Sequence, residues 1–232
     1  LDQIISHAAR IRTRSRGRYS CPLVIRSPWG GMVRALEHHS DSPETYFVHT
    51  PGLKVVIPSR PYDAKGLIVS AIRDNDPVIF FEPKRVYRAI KEEVPEKEYT
   101  IPIGKASIRQ EGDAVTIISW GAMVRECEKA LGQMNVSAEL IDLRTVSPLD
   151  VSTIISSVKK TGRAIVVQEA QRTLGLASEI IALINDKALL SLEAPVERIT
   201  GFDTVVPLAK LEDYYSPSTE RIIYGINKVL KI

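Results

Sequence analysis

The feature that most constrains this chain is an alternation of short Val- and Ile-rich blocks with longer amphipathic stretches. Blocks at 23–26, 53–57, 77–81, 114–119, 138–142 and 163–168 have the length of strands but no polar alternation. Strands of that kind are buried on both faces, as in a parallel sheet covered by helices. Helical patterns lie at 61–73, 122–134, 149–159, 176–186 and 217–230. Another opens the chain at 2–12, with Ile4, Ile5, Ala8 and Ile11 on one face. Ser59 is the expected cap of the helix at 61–73, and Asp63 falls in its first turn, where the macrodipole favours an anion. Ser147-Pro148-Leu149-Asp150 reads as a second helix start, with Pro at an early position and an acid in the first turn. The fold class that follows is α/β, with two mostly parallel-sheet domains.

The segment 84–103 interrupts the pattern with Pro95, Pro102 and a charged stretch, and reads as a linker. Domain limits of 1–95 and 96–232 follow. The second series looks complete and the first does not. The chain opens at Leu1-Asp2-Gln3 inside a helical pattern, with no Met and no targeting segment, so a missing front end is expected.

Several function classes are disfavoured. The net charge of +3 gives no case for nucleic acid, and no apolar run approaches the roughly 18 residues of a membrane span. Cys21 and Cys127 stand apart without metal-ligand spacing, which fits inert thiols in reducing, cytoplasmic surroundings. No strand is followed by G-x-G-x-x-G, and neither a P-loop nor a G-x-S-x-G elbow occurs. The arginines at 10, 12, 14, 16 and 18 are read as a solvated segment, with phosphate contact as the alternative. His38, His39 and His49 match no zinc pattern. The loop Ser27-Pro28-Trp29-Gly30-Gly31 follows a strand, and His38-His39-Ser40 lies just beyond it. Strand-end loops are where open α/β sheets place ligands, and an imidazole there can move protons near neutral pH. A structural histidine remains the alternative.

Taken together, Ile25-Arg26-Ser27-Pro28-Trp29-Gly30, His39-Ser40, Ser42-Pro43-Glu44 and Pro51-Gly52-Leu53-Lys54-Val55-Val56 resemble the beta subunits of thiamine-diphosphate-dependent 2-oxo acid dehydrogenases. Asp63-Ala64-Lys65-Gly66-Leu67, Phe80-Phe81-Glu82-Pro83-Lys84, Tyr87-Arg88-Ala89, Ile141-Asp142-Leu143-Arg144-Thr145, Lys160-Thr161-Gly162-Arg163, Glu193-Ala194-Pro195 and Gly201-Phe202-Asp203-Thr204 continue the resemblance in the same order. It covers essentially the whole chain.

The resemblance implies a partial pyrimidine-type domain followed by a transketolase C-terminal-like domain. It implies a heterotetramer of two alpha and two beta chains that oxidatively decarboxylates a 2-oxo acid and passes the acyl group to lipoyl groups of an acyltransferase core. Thiamine diphosphate with Mg2+ would be shared with the alpha chain, in keeping with the lack of Gly-Asp-Gly here. The glutamate that contacts the pyrimidine would lie before Leu1. His39 matches the family's active-site histidine. Leu23, Val24, Ala71, Ile72, Asp74 and Asp76 match the positions of a structural K+ ion, with Asp76 in place of an Asn; the bland reading is an ordinary helix-to-strand turn. Glu193, with the carboxylate of Ile232, matches a docking position for the acyltransferase. Ser42-Pro43-Glu44, Phe80-Phe81-Glu82-Pro83-Lys84 and Glu92-Glu93-Val94-Pro95 favour a branched-chain substrate, 3-methyl-2-oxobutanoate; pyruvate and acetoin dehydrogenases are the alternatives. A transketolase or deoxyxylulose-phosphate synthase piece, or a non-catalytic assembly module, are the other classes open at this point.

Overall fold

The computed structural model describes residues 1–35 and 40–231. The apolar blocks pair as strands. β1 (Val24–Trp29), β2 (Lys54–Val56) and β3 (Val78–Pro83) are parallel, with β3 in the middle. A second sheet contains β4 (Ser107–Gln110), β5 (Val115–Ser119) and β6 (Ala138–Asp142). β7 (Thr145–Ser147) then leaves that sheet and pairs antiparallel with β2, becoming the fourth strand of the first. β8 (Ala164–Val167) and β9 (Glu197–Ile199) complete the second sheet in the order β4-β6-β5-β8-β9, parallel except for β4. Two mostly parallel sheets are therefore tied by one exchanged strand.

The helices are α1 (Ile11–Arg14), α2 (Glu44–Val48), α3 (Pro61–Ile72), α4 (Ala122–Leu131), α5 (Val151–Thr161), α6 (Leu176–Ala188), α7 (Glu212–Tyr215) and α8 (Thr219–Leu230). Among the described residues, none is long and apolar enough to cross a membrane. Strand alternation sends Val55, Ile57, Ile79 and Phe81 of the first sheet into one core with Ile118, Ile141, Val166 and α5–α6 of the second. The opposite face of the first sheet, Val56, Val78 and Phe80, packs on Leu67 and Ala71 of α3. The opposite face of the second packs on α4 and α8. The burial of β3, β5, β6 and β8 on both faces is the pattern that their unalternating sequences require.

Three local expectations are corrected. The opening segment is not one α-helix but a π turn at Gln3–His7, a 3-10 turn at Ala8–Arg10 and then α1. Its backbone presses on Gly52, where a Cβ would come within 1.9 Å of the Ala9 carbonyl oxygen. Ser59 does not cap α3: Arg60 is the N-cap residue, and the Ser59 hydroxyl donates instead to the buried Asp142 carboxyl. Asp150 is the N-cap of α5 rather than a first-turn residue, accepting from the Thr153 N–H at 3.2 Å, and Pro148 lies before the helix.

Arg144 bolts the two sheets together where β6 hands over to β7. Its guanidinium donates to Asp63 Oδ1 at 3.0 Å and to the carbonyls of Lys105 and Ala106 at 2.9 and 3.0 Å. Its own carbonyl accepts the Ile57 N–H at 2.8 Å. Removing one partner of a buried ion pair strands the other charge. Arg144→Ala is therefore expected to lower the unfolding free energy by about 3 kcal/mol in urea titrations, and Asp63→Asn is expected to recover part of that loss.

Candidate functional site

The carboxyl ends of the parallel strands carry loops that meet between the two sheets. β1 ends at Trp29 and runs into Gly30-Gly31, where Gly30 holds φ of +77° and its N–H donates to the Asp41 carbonyl at 3.0 Å. The loop that leaves at Gly30 and returns at Ser40–Asp41 is thus closed at its base. Glutamates from the second sheet's side enter that base. Glu169, just beyond β8, accepts the Gly31 N–H. Glu212, at the start of α7, accepts the Met32 N–H through Oε1 and the Arg34 N–H through Oε2 at 2.8 Å.

Two glycines are needed for this approach. A Cβ on Gly30 would lie 2.8 Å from Glu169 Oε1, and one on Gly31 would lie 3.1 Å from Glu212 Oε1. Met32 and Arg34 hold φ of 62° and 58°, a left-handed conformation that costs a side-chain-bearing residue about 1–2 kcal/mol. Charge-assisted bonds from an N–H to a carboxylate contribute roughly 1.5–3 kcal/mol each and offset that strain.

Glu44, on the first turn of α2, is fully buried between two indoles. Trp29 Nε1 donates to its Oε2 at 2.8 Å and Trp120 Nε1, just after β5, to its Oε1 at 3.3 Å. Burial pushes the Glu44 carboxyl up to about 7, against the opposing pull of the Trp29 bond. Burial likewise raises the Glu169 carboxyl, opposed first by the Gly31 N–H and then by the charge of Arg85. Glu169 Oε2 is buried without a hydrogen-bond partner. Burial depresses the Lys84 ammonium, opposed by Glu169 and Glu212, so the chain just after β3 faces the same carboxylates. Burial followed by the Glu169 charge pushes the Tyr215 phenol up. Beside β3, Glu82 accepts from Arg26 Nε at 2.5 Å and from the Tyr87 hydroxyl at 2.6 Å. These groups line one side of a cavity of about 500 Å³ with Phe80 and Pro83.

His39 and Ile232 lie outside the described residues. Ser40, which follows His39, is buried at the closing end of the loop. Leu23 and Val24 are brought beside the turn at 74–77: the Val78 N–H donates to the Leu23 carbonyl at 2.8 Å, and the Cys21 N–H donates to the Asn75 carbonyl at 3.1 Å. The carboxylates there are already balanced. Lys54 Nζ lies 2.6 Å from Asp74, and Arg12 pairs with Asp76. Ala71 and Ile72 end α3, and the Ala71 carbonyl accepts the Asp74 N–H at 3.3 Å. With the Asp74 and Asp76 carboxylates paired to side-chain cations, a structural K+ ion here would be held by backbone carbonyl oxygens, the only donors that Leu23, Val24, Ala71 and Ile72 offer. Glu193 is exposed at the surface, ion-paired with Arg163 at 2.6 Å. Cys21 and Cys127 are free, and burial raises the Cys127 thiol. Among the described residues no group of three His, Cys, Asp or Glu side chains is arranged to hold a metal.

Glu44, Glu169 and Glu212 were not singled out by sequence reasoning. Glu169 had a signal, a charge two residues past the end of a wholly apolar strand. Glu212 had none, since its partners are 178 and 180 residues away.

Two family models match the chain: the transketolase pyrimidine binding domain over 2–90 and the transketolase C-terminal domain over 104–222. Among curated proteins, "Pyruvate dehydrogenase E1 component subunit beta" of Acholeplasma laidlawii is 53% identical over 231 residues, covering 98% of this chain and 71% of that protein. The protein of that name from Bacillus subtilis is 53% identical over 234 residues, covering 100% and 72%. The Staphylococcus aureus one is 49% identical over 233 residues, covering 99% and 72%. A solved structure titled "Split gene transketolase, inactive beta4 tetramer" superposes with a TM-score of 0.73 at 19% identity, over 98% of this chain and 73% of that one, and bears on the fold alone.

The chain's two tryptophans both donate to Glu44, so intrinsic fluorescence reports its ionisation. Titration is expected to show a step near pH 7 that Glu44→Gln abolishes. Burial also raises Asp142 to about 7. The folded chain holds both protons more tightly than the unfolded one. Their contribution to stability is full below the ordinary carboxyl range and is lost as pH rises through about 7, so denaturation midpoints are expected to fall between pH 5 and pH 7.5.

Proposed function

The chain belongs to the transketolase-like beta subunits of thiamine-diphosphate-dependent E1 components, and from that premise we propose that it serves pyruvate decarboxylation jointly with an alpha chain. The observation that carries the substrate choice is 53% identity, along the whole chain, to beta subunits named for pyruvate. That favours pyruvate over the branched-chain substrate suggested by Ser42-Pro43-Glu44 and Phe80-Phe81-Glu82-Pro83-Lys84. The site geometry supports an E1 role for the face where the strand ends of both sheets meet, the usual place for ligands in open α/β sheets.

Thiamine diphosphate, when bound at the junction with an alpha chain, supplies the electron sink for loss of carbon dioxide. By the family resemblance, the diphosphate and Mg2+ would be held by the alpha chain. This chain's part is proton handling and positioning. When a lipoyl disulfide opens, one sulfur takes the acyl carbon and the other takes a proton. His39, on the loop closed by Gly30 and Asp41, is assigned as the donor of that proton. Glu193 and Ile232 are proposed contacts for the acyltransferase core, in a charge-steered interface weakened by salt.

Reconstituted with an alpha chain, the protein is expected to turn over pyruvate faster than 3-methyl-2-oxobutanoate, and only with thiamine diphosphate. The reverse preference restores the branched-chain reading; no turnover in an assembled complex ends the catalytic one. His39→Ala is expected to lower lipoamide acylation at least a hundredfold while dye-linked decarboxylation falls less.

A further inference from the structure

The first sheet has a concave side turned away from the core that it shares with the second. Strand alternation sends Phe81 into that shared core and Phe80 to the opposite side. On the opposite side the parallel register sets Arg26 beside Phe80, with Glu82 two residues further along β3. Pro61, Ala64, Lys65 and Ile68 recur at helical spacing and turn one stripe of α3 toward the same space. Val86 and Tyr87, in the turn that follows β3, close its end. The cavity of about 500 Å³ lies between these walls. A mostly apolar hollow of that size with a few convergent polar groups is the common form of a small-molecule site.

The polar groups here are arranged for an anion. Glu82 is already spent: Oε1 accepts Arg26 Nε at 2.5 Å and Oε2 accepts the Tyr87 hydroxyl at 2.6 Å. Holding Arg26 by Nε leaves its two terminal nitrogens without a partner among the described residues. A guanidinium fixed in this way presents a planar fork that matches a carboxylate. Arg60 and Lys65 add two cations to the wall, and Glu82 is the one carboxylate among the lining residues. Arg60 is balanced from outside the cavity by Glu128 at 2.5 Å, and its Nε is buried without a partner. Lys65 Nζ donates to the main-chain carbonyls of Pro95 and Glu96, so no carboxylate neutralises it. A bare inorganic anion would leave the apolar wall of Phe80, Ile68 and Pro61 uncovered.

We infer that the cavity between α3 and β3 binds a small carboxylic acid with an apolar body, its carboxylate on Arg26 and its hydrocarbon part against Phe80 and Ile68. Neither the substrate proposed above nor the role of His39 enters this assignment.

The probe is 3-phenylpropanoate, titrated calorimetrically into the full chain. Its amide, 3-phenylpropanamide, serves as the uncharged copy, and inorganic phosphate as the anion without a body. Saturable binding in the millimolar range or tighter is expected for the acid, at least tenfold weaker binding for the amide, and none for phosphate. Arg26→Gln is expected to weaken the acid at least tenfold and to leave the amide within twofold, which separates lost charge recognition from lost structure. Amide NMR shifts on adding the acid are expected at Lys65 and Phe80, with α5 unmoved. The assignment is overturned by absence of saturable acid binding, by equal binding of acid and amide, by phosphate binding as tightly as the acid, or by shifts confined to other elements. An Arg26→Gln chain that binds the acid undiminished also overturns it. The acid-to-amide ratio on the unaltered chain decides the matter even where the variant fails to fold.

Discussion

Buried carboxylates that accept backbone N–H groups across the gap between the two sheets hold the strand-end loops of this molecule together. Glu169 and Glu212 belong to the second sheet's side and grip the loop leaving the first. Glu44 belongs to the first and binds one indole from each side, Trp29 and Trp120. A buried carboxylate costs several kcal/mol in lost hydration unless its oxygens are satisfied. Glu44 and Glu212 meet that condition on both oxygens and Glu169 on Oε1, chiefly through N–H donors, several of them from the other sheet's side. The strand ends of β1, β5 and β8 are thereby fixed to one another, and the face they share is the one proposed above for catalysis.

The same logic runs through the interior. β7 belongs to the later part of the chain by sequence and to the first sheet by pairing. Arg144 at its threshold donates to one oxygen of Asp63 on α3 and to two carbonyls near β4. One apolar core then contains residues of both sheets, so neither half has an interior of its own on that side. Each sheet keeps a private core on its other face, under α3 for the first and under α4 and α8 for the second.

Much of this was legible in the sequence, and the reasons for the remainder are physical. Runs such as 114–119 and 138–142 announce themselves because a strand buried on both faces is mostly apolar and shows no regular polar alternation; the buried Thr116, Ser119, Glu139 and Asp142 in them are each held by a side-chain or backbone partner. β7 and β9 have three residues each, too few to establish a period, and owe their existence to partners distant in sequence. Ser59 has the chemistry of a cap, but a buried carboxyl from the other sheet offered it a partner that local reading cannot weigh. The glycine loop was visible because Gly30-Gly31 after a strand is an unusual local signal. Its anions were not, because a glutamate that serves distant backbone looks in sequence like any surface acid. The substrate lay in the same blind spot: short motifs pointed to branched chains, whereas relatives similar along the whole chain are named for pyruvate.

The central claim is that the face where both sheets end is the catalytic face. It is tested most directly by hydrogen exchange on this chain bound to an alpha chain, with and without thiamine diphosphate. The account predicts cofactor-dependent protection concentrated at 30–35, 40–44 and 84–87. Protection confined to the far side of the second sheet, on α5 and β4, would contradict it.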